Sequence, residues 1–160
     1  MDEADILIFT TPVYVYHATA SMKAFLDHYG YRWIVHRPEQ KMFSKQAVCI
    51  STAAGAGMKW ANKDIADSLS FWGIPKIYKY GVAVRSISYK KISTKTKEKI
   101  DKETTHLANK IKKRQGKVKP GIKAKWFFNS MKRVMDGRWN EADALYWKEK
   151  GWLGKGRPWK

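Results

Sequence analysis

Residues 4–17 read Ala4-Asp5-Ile6-Leu7-Ile8-Phe9-Thr10-Thr11-Pro12-Val13-Tyr14-Val15-Tyr16-His17. The run Ile6 to Thr10 is apolar or β-branched throughout, without the alternation of a strand that faces water on one side. It predicts a strand buried on both faces, as parallel strands are. Thr11-Pro12 predicts the end of that strand, because proline cannot donate to a ladder. Thr19 then offers an N-cap to a helix in which Met22, Phe25, Leu26 and Tyr29 recur at spacings of three and four, with Gly30 as its stop.

The same alternation continues downstream. Residues 31–45 form a connection with a turn signal at Arg37-Pro38-Glu39. Ala47-Val48-Cys49-Ile50-Ser51-Thr52 is a second buried-strand run, followed by the small-residue loop Ala53-Ala54-Gly55-Ala56-Gly57. Met58, Ala61, Ile65, Leu69 and Trp72 make one helical stripe, closed by Gly73 and Pro75, and a third strand is expected near Tyr78 to Val84. Strands separated by helices imply a parallel sheet with helices on both faces, an α/β fold. The remainder is helical and basic. Ile100, Thr104, Leu107, Ala108 and Ile111 mark one helix, and Gly116 to Gly121 a linker. Ile122 to Met135 form a second helix, and Asn140 caps a short third one. The division expected is 1–116 for the α/β part and 117–160 for a basic, Trp-rich helical extension.

Composition narrows the class. The 160 residues are 44% hydrophobic and 29% charged, enough apolar content for a core. No apolar run approaches the roughly 18 residues that span a bilayer. The acidic opening Met1-Asp2-Glu3-Ala4-Asp5 is unlike a secretory signal, and the lone Cys49 excludes an internal disulfide. A cytoplasmic location is the expectation. Charge is lopsided. Residues 81–160 carry 23 Lys and Arg against 7 Asp and Glu, out of 32 and 14 in the whole chain. Such a half attracts anionic surfaces or is a solvated lysine face.

Ligands in open parallel sheets bind beyond the carboxyl ends of the strands. Two loops fall there. Thr11, Pro12, Val13, Tyr14, Val15 and Tyr16 bring hydroxyls and aromatic rings, with His17 beside them as a surface histidine in a polar turn. Thr52, Ala53, Ala54, Gly55, Ala56 and Gly57 lack bulk, so a flat ligand can approach their backbone. The two would form a slot for a planar heterocycle, or else be ordinary tight turns. Gly55-Ala56-Gly57-Met58-Lys59 is neither a dinucleotide fingerprint nor a P-loop.

The segment Ala4-Asp5 through Thr11-Pro12-Val13-Tyr14, followed by Met22-Lys23-Ala24-Phe25-Leu26-Asp27, resembles the third strand and following helix of flavodoxin-like NAD(P)H-dependent FMN reductases and quinone reductases. In that family a strand leads to a [ST]-P-x-Y loop and a helix with K-x-F-x-D. The resemblance covers roughly residues 4–112. It implies a three-layer α/β sandwich of strand order 2-1-3-4-5 and electron transfer from NAD(P)H through FMN to a quinone, a free flavin or another small-molecule acceptor. It also implies that Thr11 to Tyr16 line the flavin ring and that Thr52 to Gly57 cover its pyrimidine edge. The resemblance gives no catalytic acid or base and no metal.

Family members begin with a strand, a Ser/Thr-Arg-rich phosphate loop, a helix and a second strand. The quoted chain opens at the equivalent of the third strand, an N-terminally incomplete version of the fold. FMN affinity is therefore expected to be weak or partner-dependent. The edge of the Ile6–Thr10 strand is expected to invite a second copy or a partner that supplies strands. Two other readings stand beside the oxidoreductase. One is a non-catalytic remnant. The other is a basic module for an anionic membrane surface, for which Trp139, Trp147 and Trp152 would suit the interface; nucleic acid is disfavoured for want of a motif. Trp60, Trp72, Trp126, Phe127 and Trp147 are read as core, from their place on helical stripes.

Overall fold

A computed structural model describes residues 1–137 and 140–160 of the chain. Trp139, read above as a candidate interface residue, lies outside them. Three parallel strands, β1 (Ile6–Tyr14), β3 (Gln46–Ala53) and β4 (Lys76–Ala83), form the sheet, and a two-residue strand β2 (His17–Ala18) pairs antiparallel with the end of β1. The spatial order is β2-β1-β3-β4. The order of β1, β3 and β4 agrees with the 3-4-5 portion of the implied topology, whereas β2 is a strand the sequence did not announce. Helices α1 (Ala20–His28) and α2 (Met58–Phe71) follow β1 and β3 respectively. Helix α3 (Thr94–Arg114) follows β4, and α4 (Ile122–Asp136) and α5 (Glu141–Glu149) complete the chain.

Alternation along the strands assigns the layers. Leu7 and Phe9 of β1 and Ala47 and Cys49 of β3 join Leu26 of α1 and Ile65, Ala66 and Leu69 of α2 in one buried cluster. Gln46 belongs to the opposite face. Its amide donates to the Ile111 carbonyl of α3 at 3.0 Å and its carbonyl accepts from the Tyr78 hydroxyl at 3.0 Å. Helices thus cover both faces of β3, and the double burial expected of Ala47–Thr52 holds for Ala47 to Cys49 and for Ser51.

For β1 that expectation fails. Leu7, Phe9 and Thr11 are buried, but Ile8 is 62% exposed and Thr10 is exposed, because among the described residues no helix covers the second face there. The strand also does not stop at Pro12. It continues to Tyr14, with Pro12 opposite Thr52 of β3. The proline is tolerated because β2 reaches only Val13 and Tyr14, which leaves the outer edge of Ile6–Pro12 without a strand partner among the described residues. Met1, Ile8, Thr10 and Phe25 help line a shallow groove of about 350 Å³ beside this edge.

A second cluster lies under the C-terminal helices. Phe128 stacks on Trp147 at 4.6 Å between ring centroids and meets Trp152 and Phe43 edge-on. Trp147 and Trp152 are 0% and 2% exposed, so neither serves as an interface anchor. Trp72 and Trp147 are core, as expected; Trp60 and Trp126 are not, at 45% and 67% exposure. Polar bonds fasten the same region. Asp143, capped at its backbone by the Asn140 side chain, accepts from His36 Nδ1 at 2.8 Å and forms an ion pair with Arg37, whose Nε lies 3.2 Å from the carboxylate. The Trp147 indole donates to the His36 carbonyl at 2.6 Å and the Tyr146 hydroxyl to the Pro38 carbonyl at 2.8 Å.

Two outcomes follow from this packing. Asp143→Ala removes a buried carboxylate from between His36 and Arg37, and should lower unfolding free energy by about 1.5–3 kcal/mol in denaturant titrations. Burial pushes the Cys49 thiol from 9.0 up to about 12. The unfolded thiol ionises first, so this group's contribution is intact below its unfolded value of 9.0 and lost as pH rises toward about 12. Tyr80 and Tyr146 are displaced the same way, from 10.0 to about 12, chiefly by burial. Stability should therefore fall on the alkaline side, and Cys49 should resist alkylation in the native protein while reacting at once in denaturant.

Candidate functional site

The parallel register of β1 and β3 carries both candidate loops to one end of the sheet. Pro12 sits opposite Thr52, so the two strands finish side by side. Beyond them the first loop is a hairpin tip. Tyr14 pairs with His17, and the two residues between, Val15 and Tyr16, both have positive φ, at 48° and 66°. That backbone normally selects Asn-Gly, and an L-residue there costs about 1–2 kcal/mol. The tip is held from behind. Asp64 of α2 accepts from the Ala18 amide at 3.1 Å and lies 3.0 Å from His17 Nδ1. His17 is therefore a strand residue paired to a carboxylate rather than one in a polar turn.

Gly57 joins the second loop to this hairpin. It has φ of 100° and is the N-cap of α2. A Cβ at this position would lie 2.5 Å from Val13 Cγ1 and 2.9 Å from Tyr16 Cα. Both the backbone angle and the space require glycine here. Tyr16 also meets the Trp60 ring edge-on at 5.7 Å, and Lys59 Nζ lies 5.9 Å from that ring's centroid. The loops meet directly.

The candidate residues divide by role. Thr11, Ala53 and Gly57 are buried and belong to the fold; Thr11 Oγ1 accepts from the Thr19 amide at 3.3 Å, which links β1 to the cap of α1. Val13 is half-buried against Gly57. Pro12, Tyr14, Val15, Tyr16, Thr52, Ala54, Gly55 and Ala56 are exposed. Pro12, Tyr14 and Thr52 share a face by strand alternation. The backbone N–H groups of Ala54, Gly55 and Ala56 donate to no backbone acceptor among the described residues. The carbonyls of Ala53 and Ala54, in contrast, accept from the Val84 and Arg85 amides at 2.9 and 3.1 Å. A third segment therefore braces the second loop from beyond β4, and it brings the exposed Arg85, in the left-handed region at φ 49°, to the same end of the sheet.

Chemically this is a flat, open ledge with free amide donors, a rim of Tyr14, Tyr16 and Trp60, and cations at Lys59 and Arg85. A Cβ built on Gly55 would meet nothing within 4 Å, so the backbone there is open on that side. Trp60, Asp64 and Arg85 are the contributors that the motifs did not indicate. Arg85 alone carried a signal, its place after the third parallel strand, where ligand sites gather.

No curated protein matches this chain. Among solved structures, it is similar to a thermophilic tryptophan halogenase (Th-Hal) from Streptomycin violaceusniger, with 16% identity, a TM-score of 0.43, and coverage of 62% of this chain and 66% of that one, just under two thirds. The family described as NADPH-dependent FMN reductase matches residues 1–88, a span that contains β1, β3, β4 and both loops. That span is more than half of the sequence, and the chain belongs to the NADPH-dependent FMN reductase family, with its flavodoxin-like α/β fold.

Proposed function

We propose that the chain acts as an NADPH-dependent FMN oxidoreductase of the flavin- or quinone-reductase type, with the flavin ring resting on the ledge of Thr11–Tyr16 and Thr52–Gly57. The observation that carries this reading is the row of amides at Ala54 to Ala56 that have no backbone acceptor among the described residues, with open space at Gly55 and the exposed Tyr14 and Tyr16 on the neighbouring hairpin. Family membership implies FMN and NADPH as cofactor and reductant. When bound, FMN would supply the electron transfer from NADPH to the acceptor.

The chain's own residues would do the rest. Loop amides would bond the polar edge of the ring, and Pro12, Tyr14 and Thr52 would support its flat side. Gly57 would keep the two loops at contact distance. Lys59 and Arg85 would favour anionic groups near the ledge. Because the ledge is open, with Tyr14 64% and Tyr16 57% exposed, binding by this chain alone should be weak. The free edge of β1, with Ile8 exposed on it, supports pairing with a second copy or with a partner chain as part of the same reading. The division into 1–116 and 117–160 belongs to this proposal as well, the ledge lying wholly in the first part.

Titration with FMN should quench flavin fluorescence, and added FMN should support NADPH consumption. A Cβ at Gly55 meets nothing within 4 Å, so Gly55→Leu should abolish quenching by occupying the space over the loop while leaving the circular dichroism and melting midpoint unchanged. Gly57→Ala should lower both flavin affinity and stability, because its Cβ has nowhere to go. Saturable flavin binding that Gly55→Leu leaves intact would overturn the placement of the ring. Absence of quenching at high micromolar FMN, even with an added N-terminal half that supplies the missing strands, would overturn the oxidoreductase reading.

A further inference from the structure

We propose a second interaction surface, independent of the ledge: the start of α4 is a peripheral docking site for an anionic phospholipid bilayer. Ile122 and Trp126 stand four residues apart on this helix and are 89% and 67% exposed. Residues at that spacing share a helix face. The other side of α4 is committed to the interior, with Phe128 and Met135 buried in the second aromatic cluster and Phe127, Met131 and Val134 packed against it. The Ile122–Trp126 pair is thus a separate apolar patch, unused by the core.

Its surroundings identify the partner. From residue 104 to residue 135 the sequence has ten Lys and Arg and no Asp or Glu. Lys112, Lys113, Arg114, Lys117, Lys119 and Lys123 of this stretch are exposed, and they lead directly into the patch. A segment so uniformly positive, with those six cations exposed, calls for an anionic counterpart extended over several side chains. Nucleic acid would use the lysines and could stack on Trp126, but a duplex keeps its apolar base faces stacked against one another and so offers Ile122 far less than acyl chains do. An anionic bilayer uses both components. Headgroups meet the lysines, and the boundary with the acyl chains takes an isoleucine and a tryptophan, the latter a residue suited to that depth. Binding would be peripheral, since no helix among the described residues is long and apolar enough to cross a membrane.

Flotation of the full chain with phosphatidylcholine vesicles, with and without phosphatidylglycerol, tests the assignment. At low salt the protein should float with the phosphatidylglycerol vesicles and stay behind with phosphatidylcholine alone. Ile122→Ser/Trp126→Ser should weaken the partition by about tenfold or more without changing the melting midpoint, since both side chains lie outside the core. Lys119→Glu/Lys123→Glu should weaken it too, as should molar salt. No flotation with anionic vesicles at low salt would overturn the proposal. So would flotation that is unaffected by the Ile122→Ser/Trp126→Ser change. None of these outcomes depends on flavin binding.

Discussion

The pairing of β1 with β3 is the constraint on which the rest of the molecule turns. Seven successive residues of β1, Ile6 to Pro12, lie opposite Gln46 to Thr52 in one parallel register. A slip of one residue would send Leu7 and Phe9 to the uncovered face and strip the cluster with Leu26, Ile65 and Leu69. The same register decides that Pro12 and Thr52 end level, and so that the hairpin tip meets Gly57 at the end of the second loop. Gly57 makes that contact possible by having no side chain where Val13 and Tyr16 stand. Core packing and site assembly are consequences of one alignment.

The second aromatic cluster is built differently. Its members come from both the connection after α1 and the C-terminal helices, as in the approach of Phe43 to Phe128 and Trp159. Aromatic packing alone is weakly directional, and the polar bonds around Asp143 supply the orientation. His36 plays two parts there, through its ring to Asp143 and through its carbonyl to the Trp147 indole. A histidine beside a carboxylate invites a catalytic interpretation, yet here both groups bind the extension to the rest of the chain.

Much of this was legible in the sequence where one local rule decides the outcome. The strand Ala47–Thr52, the stripe of α2 and the caps at Thr19 and Asn140 each depend on residues close in the chain, and each element appears as read. What escaped depends on distant partners. Pro12 looked like a terminator because its tolerance depends on an edge that only the sheet order reveals. Val15-Tyr16 has no hairpin signature, and the carboxylate that holds the hairpin, Asp64, lies 46 residues from Ala18. Helical spacing marked Trp60 and Trp126 as core because spacing identifies a stripe and not what lies opposite it. Both stripes were real, but these two tryptophans stand outside the buried sector. The ledge itself was readable from the order of the two loops; its bracing by Val84 and Arg85 was not.

The free edge of β1 and the polybasic entry to α4 belong to one molecule with a formal charge of +18, and ionic strength acts on them in opposite senses. Two copies approaching edge to edge repel one another over a Debye length of about 8–10 Å, and added salt removes that barrier while leaving main-chain pairing intact. Attraction of the lysines to a negative surface fades under the same screening. On the two proposals above, dilute electrolyte would favour single chains spread over a charged interface, and concentrated electrolyte would favour chains paired with each other in bulk water.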